Sequence, residues 1–410
     1  MPELAWLDAV PGEAAFYADD LMAIRAGAEH DGFAYRGAPV TPGHLAVRSP
    51  SRAILLRLET ATGAVGWGDA VSVQYAGVGG RDAPVDPAVL GVEIDFAARA
   101  LQDAGDVSFA DACSLIEDLR FDERPLHSAV RYGFSQAWLN ATAAEQRVSP
   151  LHVLAELTGL EEPELLPVYA QSGDEREINA DRMILRGVEV LPHGLFNSTS
   201  SFGADGGRFL TYVAWLCRRV DELGAPGYRP RLHLDVYGML GQVVELDIDR
   251  MATFIGEAEA AADGLALSIE SPCYGADVEE TVDLLARLRT ELRERGCEVA
   301  LVADEFCNTD EDVAQFVAAE AVDLIQIKVP DLGCLTRAIA AAQVCRDAGL
   351  GVFIGGSCAE TEVSAIASTQ VALAVEADQV LAKPGMGVDE GVTIVRNAMR
   401  RALVDWERMA

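Results

Sequence analysis

"RLHLDVYG", residues 231–238, is a run of alternating bulky apolar residues that reaches an acid, Asp235, and breaks at a glycine. The form returns in LALSIESP at 265–272, which reaches Glu270, and in VALVADEF at 299–306, which reaches Asp304. The three acids stand 35 and 34 residues apart. A strand, a loop and a helix of ordinary length fill such an interval, so the spacing reads as consecutive βα units.

Similar runs lie on either side. LLPVYAQSG (165–173) and RGVEVLPHG (186–194) precede them; VDLIQIKVP (322–330), GVFIGGSC (351–358) and DQVLAKPG (378–385) follow. Helical patterns fill the gaps, among them DRMATFIGEAEAAADG, VEETVDLLARLRTELRERG, DEDVAQFVAAEA and LTRAIAAAQVCRDAG. Eight strand candidates alternating with helices predict an α/β fold, a (β/α)8 barrel. A doubly wound open sheet is the alternative, but no GxGxxG follows a first strand. The earlier part has another rhythm. RAILLRLETATGAVGWGDA (52–70) predicts a hairpin about a Thr-Gly turn. VEIDFAARALQDA, FADACSLIEDLR and LHSAVRYGFSQAWLNATAAE then predict helices. Strands first and helices after predict an α+β unit. The proline-rich EEPELLPVYA places the boundary, giving an α+β unit over 1–163 and a barrel with a C-terminal helix over 164–410.

The composition narrows the partners. A formal charge of −33 and a pI near 4.4 argue against nucleic acid and against anionic membrane surfaces. No apolar run is long enough to span a bilayer. The opening MPELAWLDAVPGEAAFYADD lacks the basic and apolar regions of a secretory signal. Eight scattered cysteines without a CxxC pair read as reduced thiols of a cytoplasmic protein. The acidic excess reads as a solvated surface, and with so little lysine it would suit a salt-rich cytoplasm.

At the C-terminal ends of adjacent barrel strands, Asp235, Glu270 and Asp304 would converge on the mouth. Singly, each acid reads as a cap of the next helix, although glutamate caps poorly. In phase on successive strands they would repel unless a cation joined them, and hard oxygen ligands suit Mg²⁺. Lys328 falls one unit further on. It is one of two lysines in the chain, with Lys383, among 32 basic residues. Its plain reading is a stem that packs while the head reaches water. Its sharper reading is a base whose pKa burial and a nearby cation have lowered. Gln171 and His193 end the first two strand candidates. GGSC at 355–358 would let backbone N–H groups approach an anion, whereas GVGG at 77–80 lacks the Lys-Ser/Thr of a P-loop. A divalent ion with a lysine and a histidine beside it suits proton abstraction next to a carboxylate.

Eleven stretches then carry a resemblance: EHDGF, PVTPG, VQYAGVGGRD, HSAVRYGFSQA, AQSGDE, MILRGVEVLPHG, LHLDVYG, VADEFCNT, QIKVPDLG, GGSCAETE and KPGMGVDEG. Over nearly its whole length the chain resembles the methylaspartate ammonia-lyase family of the enolase superfamily. The resemblance implies an α+β capping domain on a modified (β/α)8 barrel. It implies reversible anti elimination of ammonia from L-threo-3-methylaspartate to give mesaconate. Lys328 would take the C3 proton, His193 would act on the opposite face, and Asp235, Glu270 and Asp304 would hold Mg²⁺. Gln171, Gln326, Ser357 and the backbone at Cys358 would hold the carboxylates and the amine, with Gln74 reaching in from the capping domain. K⁺ activation and a homodimer are implied as well. The chain departs from the family pattern at Ser271 (glycine), Ser357 (threonine), Ala359 (asparagine), Tyr169 (phenylalanine) and Phe353 (tyrosine). Tyr169, Phe353 and Leu381 would therefore set which 3-substituent or amine is tolerated, and a related 3-substituted aspartate is the alternative substrate. Other reactions of the superfamily are disfavoured: two lysines so far apart form no Lys-x-Lys pair, and no histidine follows His233 to make a late His-Asp pair. A non-catalytic barrel would have lost one of the five groups, and all five stand.

Overall fold

The computed structural model describes residues 1–409 apart from 79, 80, 174 and 386, and Arg25 by its backbone alone. The last two glycines of GVGG, one residue of AQSGDE and one of KPGMGVDEG therefore lie outside the described residues.

Strand β1 (Leu4–Asp19) opens the chain, followed by helix α1 (Leu21–Arg25) and a small ribbon, β2 (Glu29–Asp31) with β3 (Ala34–Arg36). The expected hairpin is β4 (Arg48–Thr60) and β5 (Val65–Val71), turning through Thr62 and Gly63. The sheet has the order β1-β4-β5 and is antiparallel. The sequence reading missed β1. Pro11 and Gly12 interrupt its pattern, and both are tolerated because β1 is an edge strand with register shifts. Against the sheet pack α2 (Pro87–Ala104) and α4 (Ser128–Gln146), and α3 (Phe109–Asp118) packs on α4 and α2; between α3 and α4 lies a ribbon, β6 (Arg120–Phe121) with β7 (Arg124–Pro125), and α5 (Pro150–Thr158) follows. Each start is built locally. Asp86 caps α2 ahead of Pro87, and Ser108 caps α3 through Asp111 N–H.

The barrel closes through β8 (Val168–Ala170), β9 (Val190–Leu191), β10 (Arg231–Asp235), β11 (Leu267–Glu270), β12 (Ala300–Ala303), β13 (Leu324–Ile327), β14 (Gly351–Ile354) and β15 (Gln379–Ala382), all parallel, with β15 pairing back to β8. Helices α6 (Arg176–Leu185), α7 (Thr199–Phe202), α8 (Gly207–Leu223), α9 (Met239–Val243), α10 (Ile248–Ala261), α11 (Val278–Glu294), α12 (Asp310–Ala318), α13 (Val329–Leu332), α14 (Leu335–Asp347), α15 (Glu362–Ala374) and α16 (Val388–Arg408) occupy the connections and the C-terminus. The eight runs read from the sequence each hold one barrel strand, trimmed at the ends. The strands are apolar and buried on both faces, as a parallel sheet covered by helices requires. Register puts Asp235 opposite Glu270 and Glu270 opposite Val302, two residues before Asp304. The three acids therefore share the C-terminal rim.

The N-terminal part closes over that rim. Gln74 N–H donates to Ser357 Oγ at 3.0 Å, and Arg81 Nε to Asp331 Oδ2 at 3.0 Å. Lower down, Ser135 Oγ of α4 accepts from Leu335 N–H at 3.1 Å. Residues far apart in sequence thus meet where the N-terminal part joins the barrel.

Candidate active site

Asp235 ends β10, Glu270 ends β11, and Asp304 is the first residue beyond β12. One carboxylate oxygen from each lies within 4.8 Å of the others, and all three residues are buried. Burial pushes each acid toward its neutral form, and the neighbouring carboxylates add to the push. Asp304 is raised to about 7, Glu270 stands well above the usual range, and Asp235 is raised as well. Asp235 Oδ2 is out of solvent, and its one near polar neighbour is His193 Nε2 at 3.2 Å. A divalent cation fits this donor set: it would neutralise three converging charges and bind their hard oxygens.

Lys328 and His193 flank the triad. Barrel order runs His193 after β9, then Asp235, Glu270 and Asp304, then Lys328 after β13. Lys328 Nζ lies 2.7 Å from Asp304 Oδ2 and 2.6 Å from Oδ1. The expected lowering of the Lys328 pKa is not found in the chain alone. Burial does push the ammonium down, but the Asp304 and Glu305 carboxylates outweigh it, and the pKa stands above the usual lysine value. His193 Nε2 is 3.2 Å from Asp235 Oδ2 and 3.3 Å from the Tyr237 hydroxyl, while its Nδ1 is buried without a partner.

The remaining expected residues gather here. Gln171 Oε1 is out of solvent and unpaired. Gln326 Nε2 donates to Glu270 Oε1 at 2.6 Å, so its amide also orients a carboxylate of the triad. Gln74 Oε1 accepts from the Cys358 thiol at 3.4 Å. Tyr169, Phe353, Leu381 and Val190 form a buried floor. Tyr169 stacks on His233 with centroids 4.4 Å apart and meets Phe353 edge-on at 5.1 Å. Its hydroxyl is buried with no partner.

The GGSC turn works differently from the sequence reading. Gly355 N–H is taken by Ile327 O at 3.0 Å and Ser357 N–H by Glu360 Oε2 at 2.7 Å, so neither is free for an anion. The glycines serve close approach instead. A Cβ on Gly355 would stand 2.0 Å from Gln326 Oε1, and one on Gly356 2.0 Å from Lys383 Nζ. The Ser357 hydroxyl is a free donor of the turn. Its oxygen already accepts from Gln74 N–H at 3.0 Å and Ala359 N–H at 3.1 Å, so its proton points elsewhere.

Sequence reasoning missed four groups around the site. His233 sits mid-strand and buried, between Gln379 Nε2 at 2.8 Å from Nδ1 and Glu270 Oε2 at 2.6 Å from Nε2. Burial lowers its pKa to about 3, so it is neutral; Nδ1 accepts from Gln379 and Nε2–H donates to Glu270. Alternation along RLHLDVYG carried the signal, since position 233 shares a strand face with Asp235. Glu305 accepts from the Ser271 and Tyr274 hydroxyls at 2.9 and 2.6 Å. Burial opposes its charge, but Lys328, Tyr274 and Arg81 hold its pKa low. Ser271 takes φ +50°, the left-handed region, where the family pattern has glycine. Tyr237 faces His193, and Arg81 brings a guanidinium whose side chain is 7% exposed to Asp331.

Comparison with known proteins finds relatives over nearly the whole chain. The families described as methylaspartate ammonia-lyase N-terminus and C-terminus match residues 4–159 and 161–408. The methylaspartate ammonia-lyase of Haloarcula marismortui is 44% identical over 405 residues, covering 96% of this chain and 95% of the relative. The crystal structure of the Citrobacter amalonaticus enzyme containing (2S,3S)-3-methylaspartic acid is 40% identical, with a TM-score of 0.94 over 98% of this chain and 99% of that one. The Mg complex of β-methylaspartase from Clostridium tetanomorphum is 39% identical, with a TM-score of 0.95 over 100% of both chains. A muconate lactonizing enzyme from Pseudomonas fluorescens, 17% identical with a TM-score of 0.62 over 92% of this chain and 87% of that one, shares the fold alone.

Proposed function

The chain belongs to the methylaspartate ammonia-lyase family, and from that premise we propose how its residues eliminate ammonia from L-threo-3-methylaspartate to give mesaconate. It is an ammonia-lyase, and the reaction is reversible. The observation that carries the assignment of roles is the flanking of a buried acid triad by one lysine and one histidine.

A Mg²⁺ ion held by Asp235, Glu270 and Asp304 would supply a Lewis acid to the carboxylate next to C3, lowering the cost of the charge that grows there. Lys328, neutral, takes the C3 proton. With Asp304 committed to a cation, burial, Arg81 and the cation's own charge favour loss of the Lys328 proton against the pull of Glu305 and Asp331. His193 stands across the triad from Lys328 and serves the other face as second acid–base group. Ser357 O–H, the Cys358 backbone, Gln171 and Gln326 hold the carboxylates and the amine, and Gln74 reaches in from the capping unit. Tyr169, Phe353 and Leu381 enclose the 3-substituent and exclude water from the developing charge.

The same reading divides the chain into a capping unit over 1–163 and a barrel over 164–410. It includes K⁺ as an activating ion, a homodimer and a cytoplasmic location. Eight free, buried cysteines support a reducing compartment. A second reading, an ammonia-lyase for a related 3-substituted aspartate, is favoured by the unpaired Tyr169 hydroxyl in the floor.

The test is ultraviolet absorbance of the purified protein with L-threo-3-methylaspartate, Mg²⁺ and K⁺. Growth of the mesaconate signal, abolished by chelation and by Lys328→Ala, is expected. A folded protein that gives no signal at low or high salt overturns the substrate assignment.

A further inference from the structure

The chain's other lysine is wholly buried. Lys383 and Glu360 are both 0% exposed and pair at 2.9 Å, and Lys383 Nζ also donates to Gly355 O at 2.6 Å. Glu360 is then used to its limit. Its Oε2 takes Ser357 N–H at 2.7 Å, and its Oε1 takes the Tyr132 hydroxyl at 2.7 Å from helix α4 of the N-terminal part. Tyr132 is itself 2.7 Å from Ser368 Oγ. Next to this pair, Asp69 of β5 accepts from the Thr361 and Ser364 hydroxyls at the start of α15. Gly356 is held against the pair so closely that a Cβ there would lie 2.0 Å from Lys383 Nζ and 2.2 Å from Glu360 Oε2.

A buried ion pair is a weak source of stability, because desolvation offsets the attraction. What it fixes is geometry. Both of its partners in the turn belong to residues 355–357, and the Ser357 N–H it holds sets where the Ser357 hydroxyl points. We propose that Glu360 and Lys383 are positioning residues that hold the 355–361 turn in register, and that they act on the reaction through Ser357 and Cys358. Tyr132 and Asp69 extend the device across the seam, so the capping part takes a share in shaping the carboxylate subsite. The catalytic consequence rests on the reading that Ser357 and Cys358 hold a substrate carboxylate; the structural one does not.

Removing one partner strands a buried charge, so the first variant removes both: Glu360→Met with Lys383→Met. Two readouts are taken on the Mg²⁺-loaded full chain. Hydrogen–deuterium exchange needs no substrate, and the amides of 355–361 should exchange at least tenfold faster, with the β10–β13 rim unchanged. In turnover of 3-methylaspartate, kcat/KM should fall at least tenfold. Ser357→Ala should then cost less than twofold in the double-Met background although it costs about tenfold in the wild type, because residues acting as one unit are not additive. Tyr132→Phe, which removes one donor to Glu360, should move the exchange of the turn the same way by at least threefold if the double variant does not fold. Unchanged exchange in 355–361 overturns the proposal, as does an equal Ser357→Ala effect in both backgrounds. A wild-type protein inert toward 3-methylaspartate would overturn the assigned reaction and leave the exchange experiment to decide the positioning role.

Discussion

Lys328 and Asp304 hold equivalent positions on adjacent strands, each the first residue past its strand, and they meet at 2.7 Å. The group that would take a proton and a group that would hold the cation are therefore in contact. Lys328→Met should leave the fold and Mg²⁺ binding in place and lower turnover by about 10²–10⁴-fold, the range for loss of a positioned base. The sharper readout is exchange of the C3 hydrogen of 3-methylaspartate with deuterated water. The variant should show none, and exchange at the wild-type rate would remove Lys328 from the role of base.

His233 touches the metal site only through Glu270, which it holds at 2.6 Å while Gln379 fixes its tautomer. Groups that orient a metal ligand typically matter by 10–100-fold in affinity. His233→Leu should therefore weaken Mg²⁺ binding by about 10–100-fold in titration calorimetry, and kcat at saturating Mg²⁺ should recover most of its value. A variant with wild-type Mg²⁺ affinity would make the histidine a packing residue.

Asp69 gives a pH signature remote from the metal. Burial raises its pKa to about 6 from 3.8, against the pull of Thr361 and Ser364 and with Glu360 adding to the rise; Lys383 and Tyr132 complete the charged and titratable groups around it. Below pH 4 it is protonated in both states and has no influence. Between about pH 4 and 6 the unfolded chain releases the proton while the fold retains it, so stability falls as pH rises. Above pH 6 a penalty on the order of 3 kcal/mol persists, at about 1.36 kcal/mol per unit. Asp69→Asn keeps an acceptor for Thr361 and Ser364 without the charge. Urea titration should show it more stable than the wild type by about 1–3 kcal/mol at pH 7.5, with the difference gone by about pH 3. A variant less stable at pH 7.5 would mean that the carboxylate is held charged by its donors.

The barrel and its triad were legible because they obey local rules. Each βα unit repeats an apolar run, a polar end and a helix, and three acids in phase cannot all be caps. Tertiary contacts hid the rest. Strand β1 carries a proline that only an edge position excuses. Glu360 follows the carboxylate turn in sequence and looks like a surface acid at a helix start, until Lys383 and Tyr132 arrive from elsewhere in the chain. Glu305 is the same case: it sits beside Asp304 in sequence and reads as one more acid until Lys328, Tyr274 and Arg81 arrive around it.

Tyr169 and Phe353 form an edge-on pair 5.1 Å apart in the floor, and the one hydroxyl between them, on Tyr169, is buried and unpaired. An unsatisfied buried hydroxyl disfavours the ligand-free fold by about 1–3 kcal/mol. Tyr169→Phe should therefore raise the stability of the ligand-free protein in urea by about 1 kcal/mol or more. The same hydroxyl gives a bound 3-substituent something to meet. A site that can hydrogen-bond a group discriminates against analogues that lack it. In the wild type, a 3-methoxy substituent should be favoured relative to methyl when compared with the variant, and the ratio of kcat/KM for the two substrates should fall about tenfold in Tyr169→Phe. An unchanged ratio would mean that the hydroxyl faces away from the substituent, leaving Leu381 and Phe353 to set the preference by shape alone.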